Sequence, residues 1–120
     1  MSDGPQDTLR CLVQLFPAFD AYWRADDNDF VLADGYFTHH GLFLEFTNFF
    51  RENSATFGHD ELRKFTDAVN SWFGGASESL DNAVATCFLE GIAGEPSALR
   101  LKPLLSQPAL AYLAQWEPEA

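Results

Sequence analysis

Apolar side chains recur at helical spacing along most of the chain. Residues 9–16 place leucine, valine and phenylalanine at positions i, i+3, i+4 and i+7, which predicts a first amphipathic helix. Pro17 ends or bends this helix, and residues 19–23 repeat the spacing in a second, shorter one. The acidic stretch 26–29 and an apolar patch at residues 30–33 follow, and this patch fits either an extended segment or a turn.

The most apolar helix is predicted from about residue 36 to residue 53. Phe43, Phe46 and Phe50 lie on one line along it, and further apolar residues lie beside them. A helix that is apolar over so much of its surface is buried. We therefore expect it to be the central element of the fold.

Two further helices are predicted from their end signals. Asp60 and Glu61 open the first, where their charge suits the positive end of the helix dipole, and the glycine pair at 74–75 ends it. Ser79 is the expected cap of the second helix, which the glycine and proline residues within 91–96 close.

The C-terminal part is predicted to form a short turn around residues 99–105 and a last helix over residues 108–116, with proline at its start. No stretch shows convincing strand alternation, and 120 residues have the length of one domain. The predicted fold is an all-α, single-domain bundle of about five to seven short helices, and stacked antiparallel helix hairpins are a finer alternative. We expect residues 1–6 and 117–120 to be loose termini.

The charge balance favours a basic partner. Seven Lys and Arg residues against 18 Asp and Glu give a net charge of −11, beyond the magnitude of about 2–8 that suits a small domain. Such a field repels nucleic acid and anionic membranes, and it speeds encounters with a basic protein. Solubility alone is the simpler explanation of the charge. The sequence thus predicts a basic protein partner, and neither nucleic acid nor membrane.

Short motifs bear on location and redox state. The first residues lack a signal-peptide pattern, and the longest apolar run, residues 109–114, is far shorter than the roughly 20 residues that span a membrane. We therefore expect a soluble, cytoplasmic protein. Cys11 and Cys87 lie in apolar helical surroundings without CxxC spacing, so we expect two reduced core thiols, with a disulfide between them as the alternative.

The densest polar stretch combines carboxylates and imidazoles within residues 26–40: Asp26, Asp27, Asp29, Asp34, His39 and His40. Adjacent histidines on a helix diverge by about 100°, whereas helical metal ligands are typically four residues apart. A calcium loop that starts at either of the first two acids would have apolar side chains at its fifth and sixth positions. The chain also lacks a nucleophile elbow, a phosphate loop and a dinucleotide fingerprint. We predict no enzyme activity and no catalytic, metal or cofactor site.

Three stretches carry a resemblance to a known type of protein: HGLFLEFTNFF at residues 40–50, DNAVATCFLEGI at residues 81–92, and LKPLLSQP at residues 101–108. An aromatic helix, an acidic helix with an N-x-V/I-x-x-x-F-L-E-x-[IL] motif and a Leu-Leu turn follow in this order. They resemble small acidic helical bacterial proteins of undefined domain type that look like immunity proteins of polymorphic or contact-dependent toxin systems. The resemblance spans residues 8 to 116 and carries over no catalytic residues.

This resemblance implies a cytoplasmic antidote that binds a cognate toxin domain and blocks its active site. We expect acids and two aromatic anchors to form the partner-binding surface: Asp26, Asp27, Asp29, Asp34, Tyr36 and Trp23. Core packing is the alternative for the two aromatic residues, and plain solvent exposure is the alternative for the acids. The second functional hypothesis is a non-catalytic adaptor or regulatory protein of another bacterial pathway.

Overall fold

Helices make up most of the described part of the chain, residues 4–25 and 28–118 of a computed structural model. Seven helices and no strand occur in these residues, which confirms the all-α, single-domain prediction. The helices are α1 (Pro5–Leu15), α2 (Ala18–Trp23), α3 (His39–Asn53), α4 (His59–Trp72), α5 (residues 78–92), α6 (Pro96–Leu99) and α7 (Gln107–Trp116). Single 3₁₀ turns lie at Ser54–Thr56 and Lys102–Leu104.

The core is built around α3, which contacts α1, α2 and α5. Phe46 in the middle of α3 is fully buried. Seven phenylalanine rings lie within 6.3 Å of its ring, centroid to centroid: Phe16, Phe19, Phe43, Phe49, Phe50, Phe65 and Phe88. Tilted and edge-on ring pairs add about 0.5–1.5 kcal/mol each beyond the burial of their area. One aromatic cluster therefore holds α2, α3, α4 and α5 together.

A wide turn inside α5 allows α3 and α5 to approach closely. The helix is α-helical at Glu78–Ala83 and Glu90–Ile92 and π-helical between them, at Val84–Leu89. The Thr47 hydroxyl of α3 lies 3.0 Å from the Cys87 carbonyl oxygen in this segment. A Cβ on Gly91 would lie only 2.8 Å from Cγ2 of Thr47. Gly91 therefore lies inside the helix as a packing residue, and α5 ends one residue later.

Two expected helix starts differ from the structure. The helix predicted from about residue 36 begins at His39, because Thr38 is extended and its hydroxyl accepts a hydrogen bond from the Gly41 amide at 3.0 Å. Ser77, instead of Ser79, occupies the N-cap position of α5. Ser79 lies in the first turn of the helix, and its hydroxyl lies 2.8 Å from Nδ1 of His39 on α3.

The chain termini are partly held by the bundle. The helix α1 already begins at Pro5, within the stretch expected to be loose, and Glu117 forms an ion pair with Lys102 at 2.6 Å. Residues 1–3 and 119–120 lie outside the described part. Both cysteines are free thiols, with Cys87 buried and Cys11 half-buried. The structure thus has no disulfide between them and places Cys87 in the core, whereas the prediction of a core thiol is wrong for Cys11.

Candidate protein-binding surface

The connection between α2 and α3, here called the acidic loop (residues 28–38), is anchored at its base. Asn28 donates through its side-chain amide to the Trp23 carbonyl at 2.7 Å and accepts from the Phe30 backbone amide at 2.9 Å. The Trp23 and Phe37 rings lie 4.9 Å apart and nearly edge-on, and both residues are buried. Both ends of the loop are therefore attached to the core.

Phe30 attaches the loop to α3 as well. A Cβ placed on Gly41 would lie 3.1 Å from Cβ of Phe30, so the Phe30 side chain crosses the helix where the helix has no side chain of its own. Glycine permits such a close approach because it lacks Cβ. The sequence shows Gly41 but not the residue that packs on it.

The tip of the loop is a tight turn over residues 32–36. The Leu32 amide donates to the Tyr36 carbonyl at 2.9 Å, and the Gly35 amide donates to the Leu32 carbonyl at 2.8 Å. The Asp34 carboxylate accepts from the Tyr36 amide at 2.9 Å. Gly35 has φ +88°, a conformation that a side chain would strain. Leu32 and Tyr36 are each 58% exposed, so the turn holds two large apolar side chains in solvent.

The carboxylates of this loop have no counter-charge within the part of the chain that the structure describes. Five of the seven basic side chains form ion pairs elsewhere: Arg10–Asp7, Arg24–Asp20, Arg51–Glu95, Arg63–Asp60 and Lys102–Glu117. Arg100 donates to the backbone carbonyls of Ser54 and Phe57. The exposed Asp29 and Asp34 take part in none of these pairs. Their charge is open to a basic group from outside the chain.

The structure brings together three of the six predicted site residues. Asp29, Asp34 and Tyr36 are exposed on the acidic loop. Trp23 does not join them, because it is only 7% exposed and packs against Phe37 and Phe19; it supports the loop from within. The remaining two predicted residues, Asp26 and Asp27, lie outside the described residues. Leu32 is the exposed apolar residue that sequence reasoning missed, because residues 30–33 fit a buried patch equally well.

The histidine after the loop belongs to a polar bridge. His39 is 3% exposed, and its Nε2 lies 3.1 Å from the Thr8 hydroxyl of α1 while its Nδ1 lies 2.8 Å from the Ser79 hydroxyl of α5. The Thr8 hydroxyl also donates to the Gly4 carbonyl at 3.3 Å. A neutral imidazole donates through one ring nitrogen and accepts through the other, so both nitrogens of His39 are within hydrogen-bond distance of a hydroxyl. His39 thus joins three helices at the point where the loop ends.

No group of three or more metal-ligating side chains converges among residues 4–25 and 28–118. The described helices also include none that is long and apolar enough to cross a membrane. Residues 9–117 match the family described as a domain of unknown function, DUF7674. The chain belongs to this DUF7674 family. No curated protein and no solved structure matches the chain. Its function must therefore be argued from its own residues.

This DUF7674 chain has a second polar and aromatic feature, a cleft between the end of α4, the start of α5, and α7. Its walls include Phe73 and Tyr112, whose ring centroids are 5.5 Å apart. Glu78 and Asp81 line it as well. The sequence has no signal that joins Tyr112 to the other three, because it lies more than about 30 residues further along the chain.

Beside this cleft, the Tyr112 hydroxyl donates a hydrogen bond to the Glu90 carboxylate. Burial, this hydrogen bond and the Glu90 charge together raise the pKa of Tyr112 to about 12. The negative charge of Asp81 adds to the increase. The tyrosine therefore remains a neutral hydrogen-bond donor at physiological pH.

Proposed function

We propose that this protein is an immunity protein that binds a cognate toxin domain through the acidic loop and neutralises it by stoichiometric contact. The toxin class comes from the resemblance of the three sequence stretches. The role of the loop rests on a single observation: a hydrogen-bonded turn holds Leu32 and Tyr36 in solvent beside Asp34, which has no ion pair within the described residues.

Tyr36 is the residue of the turn that suits a binding hot spot, whereas leucine is under-represented among such residues. Tyrosine is enriched among such hot spots, and its truncation typically costs at least about 2 kcal/mol of binding free energy. Because the hydrogen bonds and the core contacts of the loop already order Tyr36, little conformational entropy is lost when a partner covers it. The turn is therefore suited to tight and slowly dissociating contacts.

The charge of the chain supports a basic partner. Acids exceed basic residues by 11, and most basic side chains already form ion pairs with acids of the same chain. Uncompensated carboxylates beside apolar anchors attract a positively charged surface and speed its association. A toxin domain that cleaves nucleic acid has such a surface around its phosphate-binding groove, and an acidic loop inserted there excludes the substrate. In this proposal the protein acts in the cytoplasm, without a chemical step or a cofactor.

We expect a toxin domain to be encoded immediately upstream of this gene, and this domain is the partner to test. We expect cells that express this toxin domain to survive only when the chain is co-expressed, and the two purified proteins to form a complex of fixed stoichiometry. Binding without protection would support the adaptor hypothesis instead. Absence of both protection and binding would reject the immunity function.

Matched charge variants test whether the acidic loop is the interface. Asp29→Lys and Asp67→Lys change the net charge equally, but Asp67 is exposed on α4, outside the loop. We expect Asp29→Lys to slow association several-fold at low salt and Asp67→Lys to have a much smaller effect, because steering depends on charge near the contact. Changing Asp26 and Asp27 to lysine together with Asp29 should slow association further. Equal rates for the two single variants would remove the loop from the interface.

A second pair of variants tests the apolar anchors. Tyr36→Ala should raise the dissociation rate about 30-fold or more, as the loss of a hot-spot residue does. Leu44→Ala serves as the control, because Leu44 is 43% exposed on α3 and lies outside the loop. If both variants dissociate at the same rate, Tyr36 is not an anchor.

A further inference from the structure

The cleft between α5 and α7 combines aromatic walls with an open side. Phe73 and Tyr112 lie 5.5 Å apart, and the Tyr112 ring contacts Trp116 at 6.3 Å between centroids. Trp116 remains 51% exposed at the end of this row. The space beside the first two rings measures about 360 Å³. This volume lies at the lower end of the range of about 300–1,000 Å³ for small-ligand sites, and a single extended side chain fits it.

Carboxylates surround these rings without a basic neighbour. Glu78 and Asp81 line the cleft, and the Glu90 carboxylate accepts a hydrogen bond from the Tyr112 hydroxyl. Among the described residues none of the three takes part in an ion pair, because the ion pairs all involve other acids. One Asp81 oxygen accepts from the Gly74 amide at 2.7 Å, so the position of this carboxylate is set by the fold.

The same carboxylates act on two neighbouring groups, whose pKa values are raised first by burial and further by negative charge. The pKa of Tyr112 is raised by burial, by the hydrogen bond to Glu90, and by the charges of Glu90 and Asp81. Burial also raises the pKa of the Cys87 thiol, and the charge of Glu90 adds to that increase. A positive charge placed in the cleft would therefore enter a negative potential beside aromatic faces.

We propose that this cleft is a docking site for an arginine side chain of the basic partner, separate from the acidic loop. The proposal rests on the proposed function, since it adds a second contact to the same protein–protein complex. A guanidinium group suits the cleft because it is planar, stacks on aromatic rings, and offers several N–H donors to carboxylates. A lysine ammonium offers a point charge without a flat face, so it should bind less well.

The probe for this site is N-acetyl-L-arginine amide, titrated into the intact protein and followed by the aromatic ring resonances of Phe73 and Tyr112. We expect saturable shifts of both rings. The neutral isostere N-acetyl-L-citrulline amide has nearly the same shape without the charge, and it should produce no saturable shift. Equal binding of both compounds, or shifts confined to Tyr36 of the acidic loop, would overturn the proposal.

Charge-neutral variants of the cleft provide the second measurement. Glu78→Gln with Asp81→Asn keeps side-chain size, and the asparagine oxygen can still accept from the Gly74 amide. We expect the arginine probe to bind about fivefold more weakly to this double variant and with unchanged affinity to Asp67→Asn, which lies on α4 outside the cleft lining and the acidic loop. If the arginine probe binds the double variant as tightly as the parent protein, Glu78 and Asp81 do not bind the guanidinium group and the proposal is overturned.

The two proposals fail in different ways. If the upstream toxin domain does not bind the chain but the arginine probe still shifts Phe73 and Tyr112, the cleft remains a site for a guanidinium group and the immunity function is rejected. If the toxin domain binds and is inhibited but the probe leaves the rings unmoved, the immunity function stands and the cleft is not part of its interface.

Discussion

The contact between Gly91 and Thr47 gives a sharp test of the packing between α3 and α5. In the variant Gly91→Ala, the new Cβ would lie 2.8 Å from Cγ2 of Thr47, well inside ordinary carbon–carbon contact distance. Thr47 cannot rotate away easily, because its hydroxyl is held between the carbonyl oxygens of Phe43 and Cys87. The overpacking should cost about 1–3 kcal/mol.

An opposing effect determines the net result. Replacing glycine by alanine inside a helix stabilises it by about 1 kcal/mol. We therefore expect Gly91→Ala to lower the free energy of unfolding by about 0–2 kcal/mol, the difference between the overpacking cost and the helical gain. The single variant alone does not separate the two effects, so a second substitution is needed.

Thr47→Ser separates them because it removes Cγ2 and retains the hydroxyl. Alone, it should lower the free energy of unfolding by about 0.5–1.5 kcal/mol through the lost methyl group. In a protein that carries Thr47→Ser the clash is absent, so adding Gly91→Ala should stabilise that protein by about 1 kcal/mol. The double-mutant cycle should show a coupling energy of about 1–3 kcal/mol.

Urea unfolding followed by far-UV circular dichroism and tryptophan fluorescence provides the four free energies, with equal m values as the condition for comparing them. A coupling energy below about 0.5 kcal/mol would refute the reasoning. So would a Gly91→Ala variant that is about 1 kcal/mol more stable than the parent protein, since helix propensity would then act without a clash.

Three further predictions concern the bridge, the loop and the tyrosine. Thr8→Val should lower the free energy of unfolding by about 1–3 kcal/mol, because Thr8 is 3% exposed and its partner would lose a hydrogen bond. Ser79→Ala should lower it by less, because Ser79 is exposed and water can replace its hydroxyl. Equal losses of the two variants in urea unfolding would contradict this order. Gly35→Ala should cost about 1 kcal/mol in the same assay because of its φ of +88°, and no loss would mean that the turn is not rigid. The raised pKa of Tyr112, about 12, lies above that of the unfolded chain, near 10. The protonated Tyr112 side chain therefore contributes its full stabilisation of the folded protein below pH 10, and this contribution is lost as pH rises through about 12. Between pH 10 and about 12, a Tyr112→Phe variant should lose less stability than the parent protein. If the free energies of unfolding of the two proteins change in parallel with pH, the raised pKa does not belong to Tyr112.

The helices and several of their ends could be predicted from local signals. Apolar spacing located the buried face of α3, because helical periodicity is a property of neighbouring residues. The glycine pair at 74–75 marked the end of α4, where Gly74 has φ +72°. Each of these features involves residues a few positions apart, so the sequence alone contains the information.

Other residues have roles that local signals misidentify. Ser79 has the residue type and position of a helix cap, yet its hydroxyl bonds to His39, which is 40 positions away. Gly91 has the appearance of a helix terminator, yet it lies inside α5 where Thr47 leaves no room for a side chain. Trp23 has the chemistry of a binding anchor, yet it is covered by Phe37.

The candidate binding surface shows the same division. The sequence alone determined a helical, strongly acidic chain with a dense acidic stretch at residues 26–29, because composition and periodicity do not depend on long-range contacts. Only the tertiary structure decided that Tyr36 faces solvent while Trp23 does not, and that Phe73, Glu78 and Tyr112 enclose one cleft. Exposure and convergence depend on which helices pack together, and that packing is set by contacts between residues far apart in the chain.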